Sequence, residues 1–222
     1  MAAQPILCLV TDRNSLARSL GERREDALLR QIEAAAATGI SWIQIREKDL
    51  EAQPLLELTR RAITATRETA SGSVPRILVN DRADVAWAAK ADGVHLGEAS
   101  MPVSPVAEDA RRNRRDFLVG ASCHSLPGAI QAAGDGADYL FFGPVFATPS
   151  KAKFGPPQGV AILAEVCAAV NVPVLAIGGI TPDNVRVCAD AGAAGIAAIR
   201  LFQHLPQLQS VVHDIRSALD AR

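Results

Sequence analysis

Arg46 and Lys48, two residues apart, and Lys151, far downstream, are cations that can converge on one polyanion such as a diphosphate. A diphosphate facing several cations usually carries Mg2+ as well, and hard oxygen ligands for that ion would come from Asp81 and its neighbours. Gly178-Gly179 is a second anion signal, because backbone N–H groups without side chains in the way can approach a phosphate closely. Two anion sites point to two phosphorylated small-molecule substrates. Further polar groups accompany them: Gln44, Asn80, His95, Glu98, Ser122, Thr148, Ser150 and Arg200.

Each of these residues falls at, or just after, the end of a short apolar run or in the loop that follows. The runs cover 6–10, 42–45, 77–79, 93–96, 118–121, 139–142, 174–177 and 196–199, and none shows sustained polar alternation. Strands buried on both faces have that appearance. Helical patterns lie between them at 24–38, 54–70, 83–90, 103–112, 126–133, 160–170, 182–191 and 207–219. Thr181-Pro182 reads as a cap followed by proline at the first helical position. Small or glycine-containing turns at 39–41, 91–93, 136–138 and 192–194 each precede an even-numbered run, which suggests a (βα)2 unit used four times. Parallel strands joined by right-handed crossovers close into a (β/α)8 TIM barrel, here a single domain over residues 1–222. An open doubly wound sheet is the alternative, but no GxGxxG follows the first run. Barrel active sites lie at the C-terminal ends of the strands, where the polar residues sit. The long irregular stretch 143–159 carries four prolines and two lysines, and is the natural lid for such a site.

Composition agrees. Hydrophobic residues make up 49% and aromatics only 4%, so Ala, Val, Ile and Leu must build the core, as in a parallel sheet covered by helices. A net charge of −1 gives no footprint for nucleic acid or an anionic membrane. No apolar run approaches the roughly 20 residues that span a bilayer, and the start MAAQPILCLVTD lacks a basic leader region. Cys8, Cys123, Cys167 and Cys188 form no CxxC pair, which fits a reduced, cytoplasmic protein and leaves a zinc site without support. Association into a homo-oligomer stays open.

The ordered segments Gln44-Ile45-Arg46-Glu47-Lys48, Val79-Asn80-Asp81-Arg82, Asp92-Gly93-Val94-His95-Leu96-Gly97, Gly136-Ala137-Asp138-Tyr139, Phe142-Gly143-Pro144-Val145-Phe146 and Ala176-Ile177-Gly178-Gly179-Ile180 together resemble the thiamine phosphate synthase family over nearly the whole chain. That resemblance implies a transferase in which hydroxymethylpyrimidine diphosphate loses pyrophosphate and is captured by a thiazole phosphate. It implies that Gln44, Arg46, Lys48, Asn80 and Lys151 hold the pyrimidine diphosphate and that Asp81 ligates Mg2+. Ser122, Thr148 and Ser150 match polar positions around the substrates, Gly179 and Ile199 match the thiazole-phosphate end, and His95 lies near the pyrimidine pocket. Arg46, Lys48, Ser122 and Lys151 are then the catalytic set. Two positions depart from the family pattern: Ser100 stands where a second metal carboxylate is usual, with Glu98 as a substitute ligand, and Arg200 replaces a serine.

The same superfamily includes thiazole tautomerase-like paralogues, and a barrel lacking a metal ligand could be a non-catalytic binder of phosphorylated ligands. Retention of Lys48, Asp81 and Pro144 argues for the synthase. Cys123-His124 resembles a nucleophile and its base, but neighbouring strand residues face opposite ways, so a small buried thiol is the simpler reading. The basic run 111–115 ends a helix, where cations suit the dipole and solvent. Asp81 could also serve as an ordinary helix cap, and His95 as a satisfied core histidine.

Overall fold

The computed structural model describes residues 4–21, 23–148 and 156–220. Eight parallel strands close into a barrel in chain order: β1 (Ile6–Val10), β2 (Trp42–Ile45), β3 (Arg76–Asn80), β4 (Gly93–Leu96), β5 (Leu118–Cys123), β6 (Tyr139–Phe142), β7 (Val174–Ile177) and β8 (Gly195–Ala198). The helices are α1 (Arg13–Leu20), α2 (Arg24–Ala37), α3 (Ala52–Thr69), α4 (Ala83–Ala89), α5 (Val103–Asn113), α6 (Leu126–Gly134), α7 (Gly159–Ala169), α8 (Val185–Asp190) and α9 (Leu208–Asp220). The predicted (β/α)8 barrel is the fold.

Alternation along each strand splits the apolar residues into two cores. One face of β1 sends Leu7 and Leu9 outward to the layer beneath the helices, where Leu28, Ile32, Leu58 and Ile215 meet them. The other face sends Cys8 and Val10 inward to Leu78, Tyr139, Phe141, Leu175 and Ala197. Both faces being buried explains why the strands read as unbroken apolar runs. The barrel interior is filled by exchange of large for small: a Cβ on Gly120 would lie 2.0 Å from Cζ of Tyr139, so the glycine in β5 vacates the space that the β6 ring takes.

Several boundaries differ from the sequence expectation, for local reasons. Helix α1 was missed because it is short and mostly polar, RNSLARSL, and it depends on Asp12, whose side chain accepts from the Ser15 N–H at 2.9 Å. Helix α8 begins at Val185 and not at Pro182. Thr181 is no side-chain cap; its own N–H donates to Asn184 Oδ1 at 2.8 Å, and residues 182–184 form a turn ahead of the helix. Strand β8 runs one residue earlier than expected, and β5 two residues further, to Cys123. Three of the four predicted turns pass through left-handed glycines, Gly39, Gly136 and Gly192; at the fourth, the left-handed residue is Lys90, one place before the predicted turn, with φ 58°.

Candidate active site

The C-terminal ends of β2 to β5 carry a row of polar side chains joined by hydrogen bonds. The register sets Asn80 beside His95 and Gln44 beside Leu78, so successive inward positions meet across the strands. Buried Gln44 donates from Nε2 to Oδ1 of Asn80 at 2.9 Å, and Asn80 Nδ2 donates to Oδ2 of Asp81 at 2.6 Å. The other Asp81 oxygen accepts the Gly97 N–H at 3.0 Å and the Ser100 hydroxyl. Ser100 Oγ also accepts from the Gly97 N–H at 2.9 Å. Asp81 adopts φ 61°, a region that aspartate tolerates better than most residues, and its N–H donates to the His95 carbonyl at 2.9 Å. Burial by itself would raise the Asp81 carboxyl. The Ser100 hydroxyl, the Gly97 N–H, the Lys48 charge and the Asn80 amide outweigh it, holding the group below the usual carboxylate range. Asp81 is therefore an ionised anchor of this row and not a helix cap; Arg82 precedes α4 and no side chain caps it.

Deeper in the barrel, His95 lies between the ring of Phe141, with centroids 4.1 Å apart, and two hydroxyls. Its Nδ1 is 3.1 Å from the Tyr139 hydroxyl and its Nε2 is 2.8 Å from Ser122 Oγ. Burial pushes its pKa down to about 3, Asp81 pulls it upward and Arg46 adds to the lowering, so the imidazole is neutral at ordinary pH.

The end of β2 shows why Arg46 and Lys48 share a side. Glu47, between them, turns into the wall and is 4% exposed, whereas Arg46 is half-buried and Lys48 exposed. Glu47 accepts from the Thr11 hydroxyl at 2.6 Å and from the Arg13 N–H, at 3.2 Å to each carboxylate oxygen. The Arg13 guanidinium lies 3.6 Å away and also reaches Asp49 at 3.1 Å. Thr11 Oγ1 in turn accepts the Arg46 N–H at 2.9 Å, so one hydroxyl ties the first strand to the backbone of the cationic residue. Burial raises the Glu47 carboxyl above 4.5 despite those bonds.

On the opposite side of the mouth, Gly178 and Gly179 follow β7 with φ 94° and 68°, while Ile199 and Arg200 follow β8. Ile199 packs on the barrel interior and Arg200 is exposed at the start of a 3-10 turn. The glycines have a packing reason, whatever they bind. A Cβ on Gly178 would lie 2.6 Å from Cβ of Pro144, and one on Gly179 would lie 2.7 Å from the Ala147 carbonyl oxygen. Residues after β6 run alongside, with the Val145 N–H on the Ile177 carbonyl at 2.9 Å and the Phe146 N–H on that of Gly178 at 3.0 Å. Thr148 is half-buried at the end of this segment. Ser150 and Lys151 lie outside the described residues, as does much of the expected lid.

Among the described residues no group of three or more His, Cys, Asp or Glu could hold a metal ion. A Mg2+ bound to a diphosphate needs only one or two protein carboxylates, since phosphate oxygens and water complete its octahedron. Ionised Asp81 with the Ser100 hydroxyl on the same oxygen is a hard-oxygen donor set that fits such a substrate-borne ion, and does not fit an all-protein cage. Glu98 is exposed.

The residues that sequence reasoning passed over are Glu47 and Tyr139. A carboxylate between two mouth-facing cations must point into the wall and find a partner there, which was the available signal. The thiol of Cys123 is buried, its pKa pushed up to about 12, with its Sγ 3.7 Å from the Gly128 carbonyl; His124 instead meets the Gly143 carbonyl. The basic run is occupied locally: Arg111 on the Gly136 carbonyl at 3.0 Å, Arg112 on Glu108 at 3.3 Å and Arg114 on the Ala91 carbonyl at 2.7 Å.

Comparison with known proteins bears on this arrangement. The family model described as thiamine monophosphate synthase matches residues 7–202. A thiamine-phosphate synthase of Methanoculleus marisnigri is 47% identical over 74% of this chain and 75% of its own. One of Anaeromyxobacter dehalogenans is 42% identical over 86% of this chain and 82% of its own. The solved thiamine phosphate pyrophosphorylase of Pyrococcus furiosus superposes with a TM-score of 0.80 at 30% identity, covering 98% of this chain and 96% of that one.

Proposed function

Because the chain belongs to the thiamine monophosphate synthase family, we propose that it is a transferase joining hydroxymethylpyrimidine diphosphate to a thiazole phosphate, with release of pyrophosphate. The observation that carries the reading is the hydrogen-bonded row Gln44–Asn80–Asp81–Ser100 beside Arg46 and Lys48. A binder of one monophosphate has no need of a ring of neutral donors, an ionised carboxylate and two cations at one end of a barrel.

The chemistry breaks the bond between the pyrimidine methylene carbon and the diphosphate oxygen, and that carbon is then captured by the thiazole. Negative charge grows on the departing pyrophosphate, so fixed cations aimed there stabilise the transition state more than the bound substrate. Arg46, Lys48 and Lys151 take that role. Asp81 and Ser100 would hold Mg2+, which supplies further positive charge to the leaving group. Gln44 and Asn80 bind and orient the pyrimidine side, His95, expected beside the pyrimidine, acts from behind through Ser122, and Ser122, Thr148 and Ser150 contribute hydroxyls around the substrates. Gly179, Ile199 and Arg200 take the thiazole phosphate. Exclusion of water protects the electron-poor carbon until the thiazole arrives. No helix of the described residues is long and apolar enough to cross a membrane, and a cytoplasmic location suits the reaction.

The test is to mix purified protein with both substrates and Mg2+ and to follow thiamine phosphate and pyrophosphate together. Formation of both in equal amounts, abolished by a chelator, supports the reading. Rearrangement of a thiazole carboxylate phosphate with no coupled product would replace it with the tautomerase alternative.

A further inference from the structure

His95 and Ser122, 2.8 Å apart, look like a base poised to take a serine proton, but Tyr139 reverses that polarity. Tyr139 is fully buried, and among the described residues its hydroxyl has one hydrogen-bond partner, Nδ1 of His95 at 3.1 Å. A neutral imidazole carries one proton, on Nδ1 or on Nε2. With the proton on Nδ1, that nitrogen donates to the phenol oxygen, and among the described residues the phenol proton is left with the side chains of Trp42, Phe141, Leu175 and Cys8, whose sulfur is at best a weak acceptor. A buried hydroxyl proton without an acceptor biases the equilibrium against that state by roughly 5- to 150-fold. With the proton on Nε2, both fully buried donors are used: the phenol donates to Nδ1, and Nε2–H donates to Ser122 Oγ, while the one free hydrogen is that of the half-buried serine.

We propose that Tyr139 and His95 are positioning residues that fix Ser122, a substrate hydroxyl of the proposed site, as a hydrogen-bond donor toward the barrel mouth and its anionic ligand. The serine oxygen is already an acceptor of the His95 proton, so its own hydrogen turns away from the imidazole. Ser122 is half-buried near the C-terminal end of β5, with Phe141 of β6 as its register partner, and the open direction is the mouth. His95 in this state has no lone pair for the serine proton, so Ser122 is a donor and not a nucleophile. Gly120 belongs to the same device, because a side chain there would occupy the position of the Tyr139 ring. The identity of the anion rests on the synthase reading; the order of the protons does not.

The full chain labelled with 15N-histidine gives the proton order directly from long-range 1H–15N correlations of the imidazole near neutral pH, with His95→Gln assigning the signals. The expected pattern is a protonated Nε2 and a bare Nδ1 shifted by hydrogen bonding. Protonation on Nδ1, or on both nitrogens, overturns the proposal whatever the enzyme does. Tyr139→Phe keeps the ring and removes only the donor, so the Nδ1 signal should move; an unmoved signal would show that the phenol does not set the tautomer. Inorganic pyrophosphate with Mg2+ is the binding probe. Ser122→Ala should weaken it about tenfold or more, Tyr139→Phe by a smaller factor, and Ser122→Thr should restore much of the loss. Unchanged pyrophosphate binding in Ser122→Ala, with Nε2 protonated as expected, would refute the anion contact and leave the proton order standing.

Discussion

Glu47→Gln removes one charge from the wall of the barrel while keeping the shape of the side chain. The carboxylate accepts the Thr11 hydroxyl at 2.6 Å and the Arg13 N–H at 3.2 Å, and lies 3.6 Å from the Arg13 guanidinium. Every neighbour is a donor. A glutamine must therefore point its NH2 at another donor, whichever way the amide turns. Both side chains are almost sealed, at 6% and 2% exposure, so solvent screens little. Removing one partner of a buried pair costs about 3–5 kcal/mol. Asp49 keeps its 3.1 Å contact with the guanidinium, and the variant escapes the burial penalty that raises the Glu47 carboxyl, which places the expected loss at the low end, about 3 kcal/mol. For a domain of this size that is roughly 6–12 °C in Tm. The pH dependence has a definite sign. A carboxyl held above 4.5 in the fold takes up its proton before the unfolded chain does, so its contribution to stability is complete below 4.5 and lost as pH rises through the folded value. The gap between wild type and variant should thus widen as the solution is acidified toward that range. Thermal and urea unfolding monitored by far-UV circular dichroism would measure both effects; a Tm change under about 2 °C would show that the Thr11–Glu47–Arg13 cluster does not hold the end of β2.

Three further outcomes are expected. His95 contributes the opposite pH sign: with its folded pKa lowered to about 3 from 6.5, the unfolded chain binds the proton first, and wild type should lose about 2 kcal/mol more stability than His95→Gln between about pH 7.5 and 5, read from urea midpoints. Arg46→Ala and Lys151→Ala should each lower turnover by roughly 30- to 1,000-fold with little change in Tm, and equal activity in either variant would remove that residue from the diphosphate site. Ser100→Asp should lower the Mg2+ concentration for half-maximal activity and destabilise the metal-free protein, since two carboxylates would then share the place of one hydrogen bond; Asp81→Ala should abolish turnover, and a strong rise in Mg2+ requirement in Glu98→Gln would instead make Glu98 the second ligand.

The barrel was legible because its strands are buried on both faces, so that LCLV in β1 and YLFF in β6 read as apolar without alternation. The polar row was legible for a related reason: Gln44, Asn80, His95 and Ser122 interrupt otherwise apolar strands near one end, and a buried polar group there must have partners. Their mutual bonds were not legible, because the spacing within one strand does not state which neighbour it meets. That depends on the register, which places Asn80 beside His95 and Gly120 beside Tyr139. Helix α1 escaped notice because its stability comes from the Asp12 cap and from Leu16 and Ala17 against Ala27, and not from a long apolar stripe. Glu47 escaped because a charged residue inside a cationic triplet suggests solvent, whereas alternation sends it into the wall.

On the proposed function, Ser100 and Arg200, which stand where the resembled pattern has an aspartate and a serine, shift the charge at the C-terminal end of the barrel in the same direction. A serine in place of an aspartate removes one negative charge beside Asp81, and an arginine in place of a serine adds a positive one after β8. Relative to that resembled pattern the two exchanges add two positive charges at this end, although the whole chain carries −1. Both substrates and the departing pyrophosphate are anions, so the shift favours their capture by protein cations and lowers the share of neutralisation that metal must supply. On the same reading it brings a cost at product release, since pyrophosphate would be held by the charges that stabilised its departure. Ser100 moderates that cost through geometry: its hydroxyl sits on Asp81 rather than on a second anion, keeping the lone carboxylate ionised and oriented when no metal is near. Ser100 therefore fits the proposed reaction, because its hydroxyl serves the carboxylate it stands beside.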